Sequence, residues 1–226
     1  MLISSPFFNA TERPSLPETV YQQLKEAIHN GALRPGEVLK QEQLARKLGV
    51  SRAPLREALP RLEADGMIVL RPRRGYSVVA LDPDEIADIF DMRATVEEKA
   101  VRAATARRTP EDVDAVFAIL EKMQSIKVQD EDQRRLWFDL NFQFHDTLAE
   151  ASGRRHLARM VRNLRSLVEP YIRVEVNLTG DVQQADLEHT RLARAFAEGQ
   201  VDLAGSVVRV HIQSTANRLL SGLRNR

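Results

Sequence analysis

Three histidines and one arginine stand where helical periodicity carries them onto apolar faces. His145 follows Phe142 and Phe144 and precedes Leu148. His189 is in register with Ala185, Leu192, Ala193 and Phe196, and His211 with Val207, Val208 and Thr215. Each imidazole therefore projects from, or beside, an apolar stripe toward a core, and Asn141 lies one turn before His145 on the same face. A buried imidazole or amide without a partner costs about 1–3 kcal/mol. Three such rings on three helices need either one shared solution or three separate ones. A divalent ion is the shared solution, since neutral imidazole nitrogen suits Zn, Ni, Mn or Fe. A backbone carbonyl or carboxylate for each ring is the separate one. Arg93, set among Ile86, Ile89, Phe90 and Val96, poses the same question with opposite sign. A buried guanidinium needs an anion, which is either Glu97 one turn later or a bound ligand. His29 and His156 fall near helix ends and need no special role.

A second group of arginines sits in a different pattern. Leu44, Ala45 and Leu48 form a short helical stripe that stops at Gly49, a residue tolerant of positive φ at a helix C-terminus. Val50 leads to Ser51, an N-cap type, and a second helix is predicted over 52–65, with Leu55, Ala58, Leu59 and Leu62 facing inward. Two β-prone runs, 67–70 and 76–79, then flank a Pro/Gly-containing tip. Helix, tight turn, helix and hairpin make a winged helix-turn-helix. Arg52 and Arg56 are one turn apart near the start of the second helix, the end that enters the major groove in this motif. Arginine is well suited to bidentate reading of guanine. Arg71, Arg73 and Arg74 at the hairpin tip suit phosphates or the minor groove. A solvated arginine-rich face is the plainer reading of the Arg pair alone. The helix order, the Gly-Val-Ser turn and the basic tip together favour double-stranded DNA. Pro60 is expected to remove a helix hydrogen bond and to bend the helix after its DNA-reading turn, which affects the aim of Arg61.

The elements that position these residues fall into two groups. Residues 1–15 read as a flexible polar arm. Residues 16–81 hold a first helix ending at Gly31, a turn at Leu33-Arg34-Pro35-Gly36, a short strand at Val38-Leu39, and the winged motif. Residues 82–226 begin at Leu81-Asp82-Pro83-Asp84, where Asp82 is a cap and Pro83 suits the first helical position. Amphipathic segments follow at about 83–107, 110–127, 133–150, 154–176, 184–198 and 201–223, punctuated by Thr109-Pro110, Ser152-Gly153, Thr179-Gly180 and Gly199. The fold class is mainly α: a winged helix-turn-helix domain followed by an all-α antiparallel helical bundle.

The run Leu-Gly-Val-Ser-Arg-Ala-Pro-Leu-Arg-Glu-Ala-Leu, with Arg-Leu-Glu and Arg-Arg-Gly-Tyr after it, closely resembles the GntR family of bacterial transcription regulators. The later half resembles the FadR-type branch of that family, with its FCD effector-binding domain. The matching pieces are Met92 to Glu97, Phe144 to Leu148, Glu188-His189 and His211. The resemblance implies operator contacts by Arg52, Arg56 and the wing tip; Ser51 and Arg61, on the same predicted helix, are further candidate DNA-binding residues. It also implies a divalent metal held by Asn141, His145, His189 and His211, with Arg93 as a fork for a small organic acid effector. Asn141 departs from the aspartate common in that branch, and a neutral amide oxygen is the weaker ligand.

Composition limits the alternatives. The chain has 226 residues, 43% hydrophobic and 5% aromatic, and no cysteine, so disulfides and thiolate metal sites are excluded. No run approaches the ~20 apolar residues of a membrane helix, and the first residues lack the layout of a signal peptide. A cytoplasmic protein is expected. Net charge is +1 but uneven. Residues 1–81 hold 12 basic against 8 acidic residues, a surplus of +4, and the remainder, 21 against 24, carries −3. The combined expectation is a homodimeric transcription regulator, commonly a repressor, whose operator binding answers to a carboxylate at a metal site. A metal sensor and a helical metalloenzyme are the competing classes. Against the enzyme, residues 82–226 contain no Glu-x-x-His pair of the di-iron bundle kind, and the sequence has no nucleophile elbow.

Overall fold

Ser15 accepts a hydrogen bond from the Glu18 backbone N–H at 3.3 Å, and with Pro17 in the first turn it starts helix α1, Leu16–His29. The structure, a computed structural model, describes residues 14–128, 130–179 and 182–224. The arm expected over 1–15 therefore lies outside the described residues except for its last two, and Ser15 belongs to the helix cap. The chain divides into two compact units between Val79 and Ala80.

In the first unit, α1 is followed by β1 (Val38–Leu39), α2 (Gln41–Leu48), α3 (Arg52–Ala64), β2 (Ile68–Arg71) and β3 (Gly75–Val78). The sheet has strand order β1-β3-β2 and is antiparallel throughout, with Leu39 opposite Tyr76 and Arg71 opposite Gly75. Gly49 adopts φ +65 at the end of α2, and Val50 N–H returns to the Ala45 carbonyl, so the tight turn between the two helices forms as its sequence predicts. Val20, Leu24, Leu55, Leu59, Leu62 and Ile68 form the centre of a small core. One expectation needs correction. The wing strands are displaced by about one residue, because the three-residue tip, Pro72 to Arg74, is closed by Arg74 N–H to the Arg71 carbonyl, with Arg73 at φ 63. α3 continues past Pro60 to Ala64, as the expected span had it, with Pro60 on its exposed side.

The second unit consists, among the described residues, of α4 (Pro83–Arg107), α5 (Pro110–Ser125), α6 (Glu131–Glu150), α7 (Arg155–Thr179), α8 (Gln183–Ala197) and α9 (Val201–Arg224). The starts of α4 and α5 are fixed by two capping boxes, Asp82 with Glu85 and Thr109 with Asp112. α4 lies along α9 and also meets α6 and α7, so it is the central helix of the bundle. Ile86, Phe90, Phe138, Phe144, Val168, Leu192, Phe196 and Val208 fill the space between helices. At the entry to this unit, Leu81 N–H donates to the Tyr171 hydroxyl on α7 at 2.6 Å, and the Leu81 side chain packs on the core. Two residues earlier, Val79 N–H is bonded to the Met67 carbonyl at 3.0 Å. No described helix is long and apolar enough to cross a membrane.

Candidate metal centre and nucleic-acid interface

Helix α3 separates its two jobs by face. Pro54, Leu55, Ala58, Leu59 and Leu62 are buried, while Ser51, Arg52 and Arg56 are exposed at its N-terminal end. Ser51 occupies the N-cap position but its hydroxyl makes no cap hydrogen bond, contrary to the expectation of a side-chain cap. Its oxygen is on the same exposed end as the two arginines. Arg73 and Arg74 are exposed at the wing tip, and Arg71 is partly engaged, its Nε donating to Ser77 Oγ at 3.1 Å. Arg61 is placed elsewhere. Nine residues after Arg52, it emerges on the opposite side of the helix, where it pairs with Glu18 at 2.8 Å and stacks over Tyr21 at 4.3 Å. Its partners are on α1, so it anchors α1 to α3 and does not share the surface of Arg52 and Arg56.

In the second unit, α6, α8 and α9 bring His145, His189 and His211 together. Each ring offers one nitrogen, and the three nitrogens lie within 4.8 Å of one another. His145 Nε2 and His189 Nε2 are 3.3 Å apart. All three rings are buried, His189 completely. Burial depresses the His145 imidazole to about 3, with Arg165 adding to the effect. Burial, then the neighbouring His211 and His145, hold His189 well below the usual histidine value. Both rings are therefore neutral, the protonation state that binds metals.

Two carboxylates orient this cluster. Glu97 Oε2 is 3.3 Å from His145 Nδ1, and Glu188 Oε2 is 2.7 Å from His211 Nδ1. A carboxylate accepts, so Nδ1 carries the proton in each ring and Nε2 is left as a lone pair. This is the outer-shell pattern that fixes metal-ligating histidines. Glu97 is also a hub for cations: its Oε1 accepts from Arg93 Nε at 2.8 Å, and Arg165 Nη1 lies 3.7 Å from its Oε2. Burial alone would raise the Glu97 carboxyl, but Arg93, His145 and Arg165 outweigh it and hold the group ionised below the usual carboxylate range.

Several buried polar atoms around the centre remain without a partner: Asn141 Oδ1, His189 Nδ1, Arg93 Nη1 and Arg165 Nε. Unpaired atoms of this kind are rare in folded proteins and point to something that completes them. All of these residues except His189 line a cavity of about 30 Å³, together with His145, His211 and Arg218. That is room for one or two water-sized groups. Three imidazole nitrogens, an orphaned amide oxygen one turn from the first of them, and oriented tautomers fit a divalent ion with N/O ligands.

The five polar residues expected to converge from the sequence, Arg93, Asn141, His145, His189 and His211, thus fall around one centre. Arg93 makes the internal pair with Glu97 and still presents a free donor to the cavity. Sequence reading missed Arg165 and the orienting role of Glu188. Arg165 does share helical spacing with Val161, Val168 and Ile172, and its inward position could have been read from that stripe. Tyr171 binds the Leu81 backbone, and Arg173 pairs with Glu169 and Asp139, so neither is available as an additional ligand contact.

A helix-turn-helix with a basic exposed end and a wing, followed by a helical bundle built around a buried polar centre, is the architecture of a DNA-binding regulator. Comparison with known proteins gives the family. Residues 16–78 match the bacterial regulatory proteins of the gntR family, and residues 88–214 match the FCD domain. The chain is 31% identical over 202 residues to the HTH-type transcriptional regulator YdhC of Bacillus subtilis, covering 88% of each protein. It is 29% identical to the HTH-type transcriptional repressor GlaR of Escherichia coli, covering 85% of this chain and 90% of that one. Among solved structures, E. coli McbR/YncC superposes with a TM-score of 0.80 at 23% identity, over 93% of this chain and 100% of that chain, which shows the shared fold. The chain belongs to the GntR family and carries the FCD domain of its FadR-type branch. It is a bacterial transcription regulator, not an enzyme.

Proposed function

We propose that this regulator binds operator DNA as a homodimer in the cytoplasm and releases or retains it in response to a small organic acid held at a divalent metal. The observation that carries the reading is the three buried histidine nitrogens within 4.8 Å of one another, ringed by unpaired donors and acceptors. His145, His189, His211 and Asn141 hold the ion. The ion supplies open positions for a carboxylate, and Arg93 Nη1 supplies a charge-assisted hydrogen bond beside it. On the DNA side, Arg52 and Arg56 read bases, with Ser51 and the wing arginines on the backbone. Repression is the mode named for relatives such as GlaR and the gluconate operon transcriptional repressor of Bacillus licheniformis, and it is the mode proposed here.

The test is elemental analysis of gently purified protein, followed by chelation and metal add-back, with operator affinity followed at each stage. Uptake of one divalent ion per chain, lost in His145→Ala and His189→Ala, is the expected result. A wild-type chain that takes up none would end the metal reading. Sedimentation on a duplex operator checks the dimer. A second reading, in which the ion itself is the signal, is favoured by the cavity's size of about 30 Å³, which admits an ion more readily than an acid. Operator release on metal addition alone, with no further change on adding carboxylic acids, would support that reading.

A further inference from the structure

Helices α4 and α7 lie side by side and run in opposite directions. At one end Leu81, just before α4, is bonded to Tyr171 on α7. Midway, Arg165 Nη1 is 3.7 Å from Glu97 Oε2. At the other end Arg107 Nη1 donates to the carbonyl of Ser152, just before α7, at 3.2 Å. Ala100, Ala158 and Val161 close part of the seam, with Val96 and Leu157 packed against them. The inner sides of the two helices carry the buried Arg93, Glu97 and Arg165. The outer sides carry an apolar strip. Helical spacing places Met92 and Val96 on the outer side of α4 that borders α7, and Met160, Leu164 and Leu167 on the outer side of α7 that borders α4. Met92 is 47% and Met160 53% exposed, and the other three are half-buried. The ends of this face differ in charge. Asp84, Asp88 and Asp91 are exposed on the N-terminal half of α4. At the opposite end, Lys99 on α4 is exposed with Arg154, Arg155 and Arg159 at the start of α7. Asp88, Asp91, Lys99 and Arg155 make no ion pair among the described residues.

We propose that the outer α4/α7 face is where a second copy of this chain docks, forming a two-fold dimer that does not need DNA. This rests on the homodimer reading above and adds the surface that holds it. A two-fold axis lying in the face, across both helices at mid-length, sets two copies antiparallel. The acidic end of each then lies on the basic end of the other, with the apolar strips together at the centre. Each helix has 25 residues, so at 1.5 Å per residue and about 10 Å per helix width the face measures roughly 37 by 20 Å, about 700 Å². A stable protein interface takes about 800 Å² from each partner. The competing surface is on α8 and α9, where Leu187, Leu203 and Val210 are exposed. Its groove sets Arg191 and Arg194 against a single carboxylate, Glu198, and lacks the matched ends of the α4/α7 face.

The experiment is sedimentation of full-length protein over a range of concentrations, without DNA and on a duplex operator. Wild type is expected to be a dimer without DNA. Met160→Asp is expected to weaken that dimer by about tenfold or more, since the residue lies near the centre of the face and counts twice in a two-fold dimer. Leu187→Asp is expected to leave it unchanged. Two further variants each reverse one end: Asp88→Lys with Asp91→Lys, and Arg155→Glu with Arg159→Glu. Each alone sets like charges together and is expected to associate about tenfold more weakly than wild type at low salt. An equimolar mixture of the two restores acid-to-base contact at both ends and is expected to recover wild-type association, which also shows that both fold. Wild-type association by each alone overturns the proposal. So does a mixture no better than its parts when both variants keep the wild-type helical circular dichroism. A dimer that survives Met160→Asp but is lost in Leu187→Asp moves the interface to α8 and α9, and overturns the proposal while leaving the homodimer reading intact. A wild-type chain that dimerises only on the operator does the same, and one monomeric in both settings overturns the homodimer reading itself.

Discussion

His145 Nε2 faces His189 Nε2 across 3.3 Å inside the helical bundle. His145 donates its Nδ1–H to the Glu97 carboxylate, so its Nε2 presents a lone pair to the other ring. His189 then either donates from Nε2 and strands its Nδ1, which has no partner, or presents a second lone pair. A cation between the rings satisfies both. The expected consequence is thermal: adding Zn(II) or Ni(II) to chelated protein raises its melting temperature, and His189→Ala abolishes the rise. For ion at ~100 times its Kd the gain is about 2.7 kcal/mol. No shift at saturating metal would count against the site.

Acidification should destabilise the metal-free protein before its carboxylates titrate. The folded-state values of His145 and His189 are lowered, His145 to about 3, so below about pH 6.5, where unfolded histidine titrates, the unfolded chain binds more protons. Stability is therefore unaffected by these rings above that pH and falls as pH drops below it, by at most about 1.4 kcal/mol per pH unit for each ring. Glu97 acts in the same direction at lower pH, since its folded value is also lowered. Urea unfolding at several pH values checks this, with a shallower slope expected for His145→Gln. An identical slope in that variant would contradict the assignment.

Glu97→Gln should be costly in two ways. It leaves two buried guanidiniums and an oriented imidazole without their shared anion. Breaking a buried ion pair from one side typically costs about 3–5 kcal/mol, and losing an outer-shell carboxylate weakens metal binding by about 10–100-fold. Denaturation and metal titration read these losses separately.

On the DNA side, Arg52→Ala or Arg56→Ala should cost about 1–3 kcal/mol at a selected operator and relax base preference nearby. Arg73→Ala or Arg74→Ala should weaken binding evenly across sequences and reduce its salt dependence. Arg61→Ala should instead destabilise the first unit, because its partners are Glu18 and Tyr21. Anisotropy titrations at two salt concentrations, beside melting curves, separate the three outcomes.

What could be read from the sequence follows from range. Asp82-Pro83, Thr109-Pro110 and the Gly49 turn are local signals, and the elements start or stop there. The convergence of the three histidines was legible because periodicity assigns each to an inward face, and six helices have few ways to share one interior. Pairings across the bundle were not legible. Arg165 is far from Glu97 in sequence, and nothing near either residue specifies the other. Arg61 shows the same limit: its proximity to Arg56 in sequence suggested a shared surface, whereas Glu18 and Tyr21 determine its direction. The one-residue displacement of the wing strands came from tip geometry that β propensity does not encode.

The joint between the two units is shorter than the domain boundary in sequence suggests. Val79 N–H is bonded to Met67 on one side and Leu81 N–H to Tyr171 on the other, so Ala80 is the only residue between two anchored backbone donors. A flexible tether dissipates motion as slack, because many torsions share it. Here only the torsions around Ala80 lie between those two bonds. Tyr171 adjoins Ile172, which lines the cavity, and Pro170 lies in the same turn of α7. A displacement of this turn is therefore felt at the Leu81 backbone N–H, and a few glycines inserted after Ala80 would add torsions between that bond and the one at Val79.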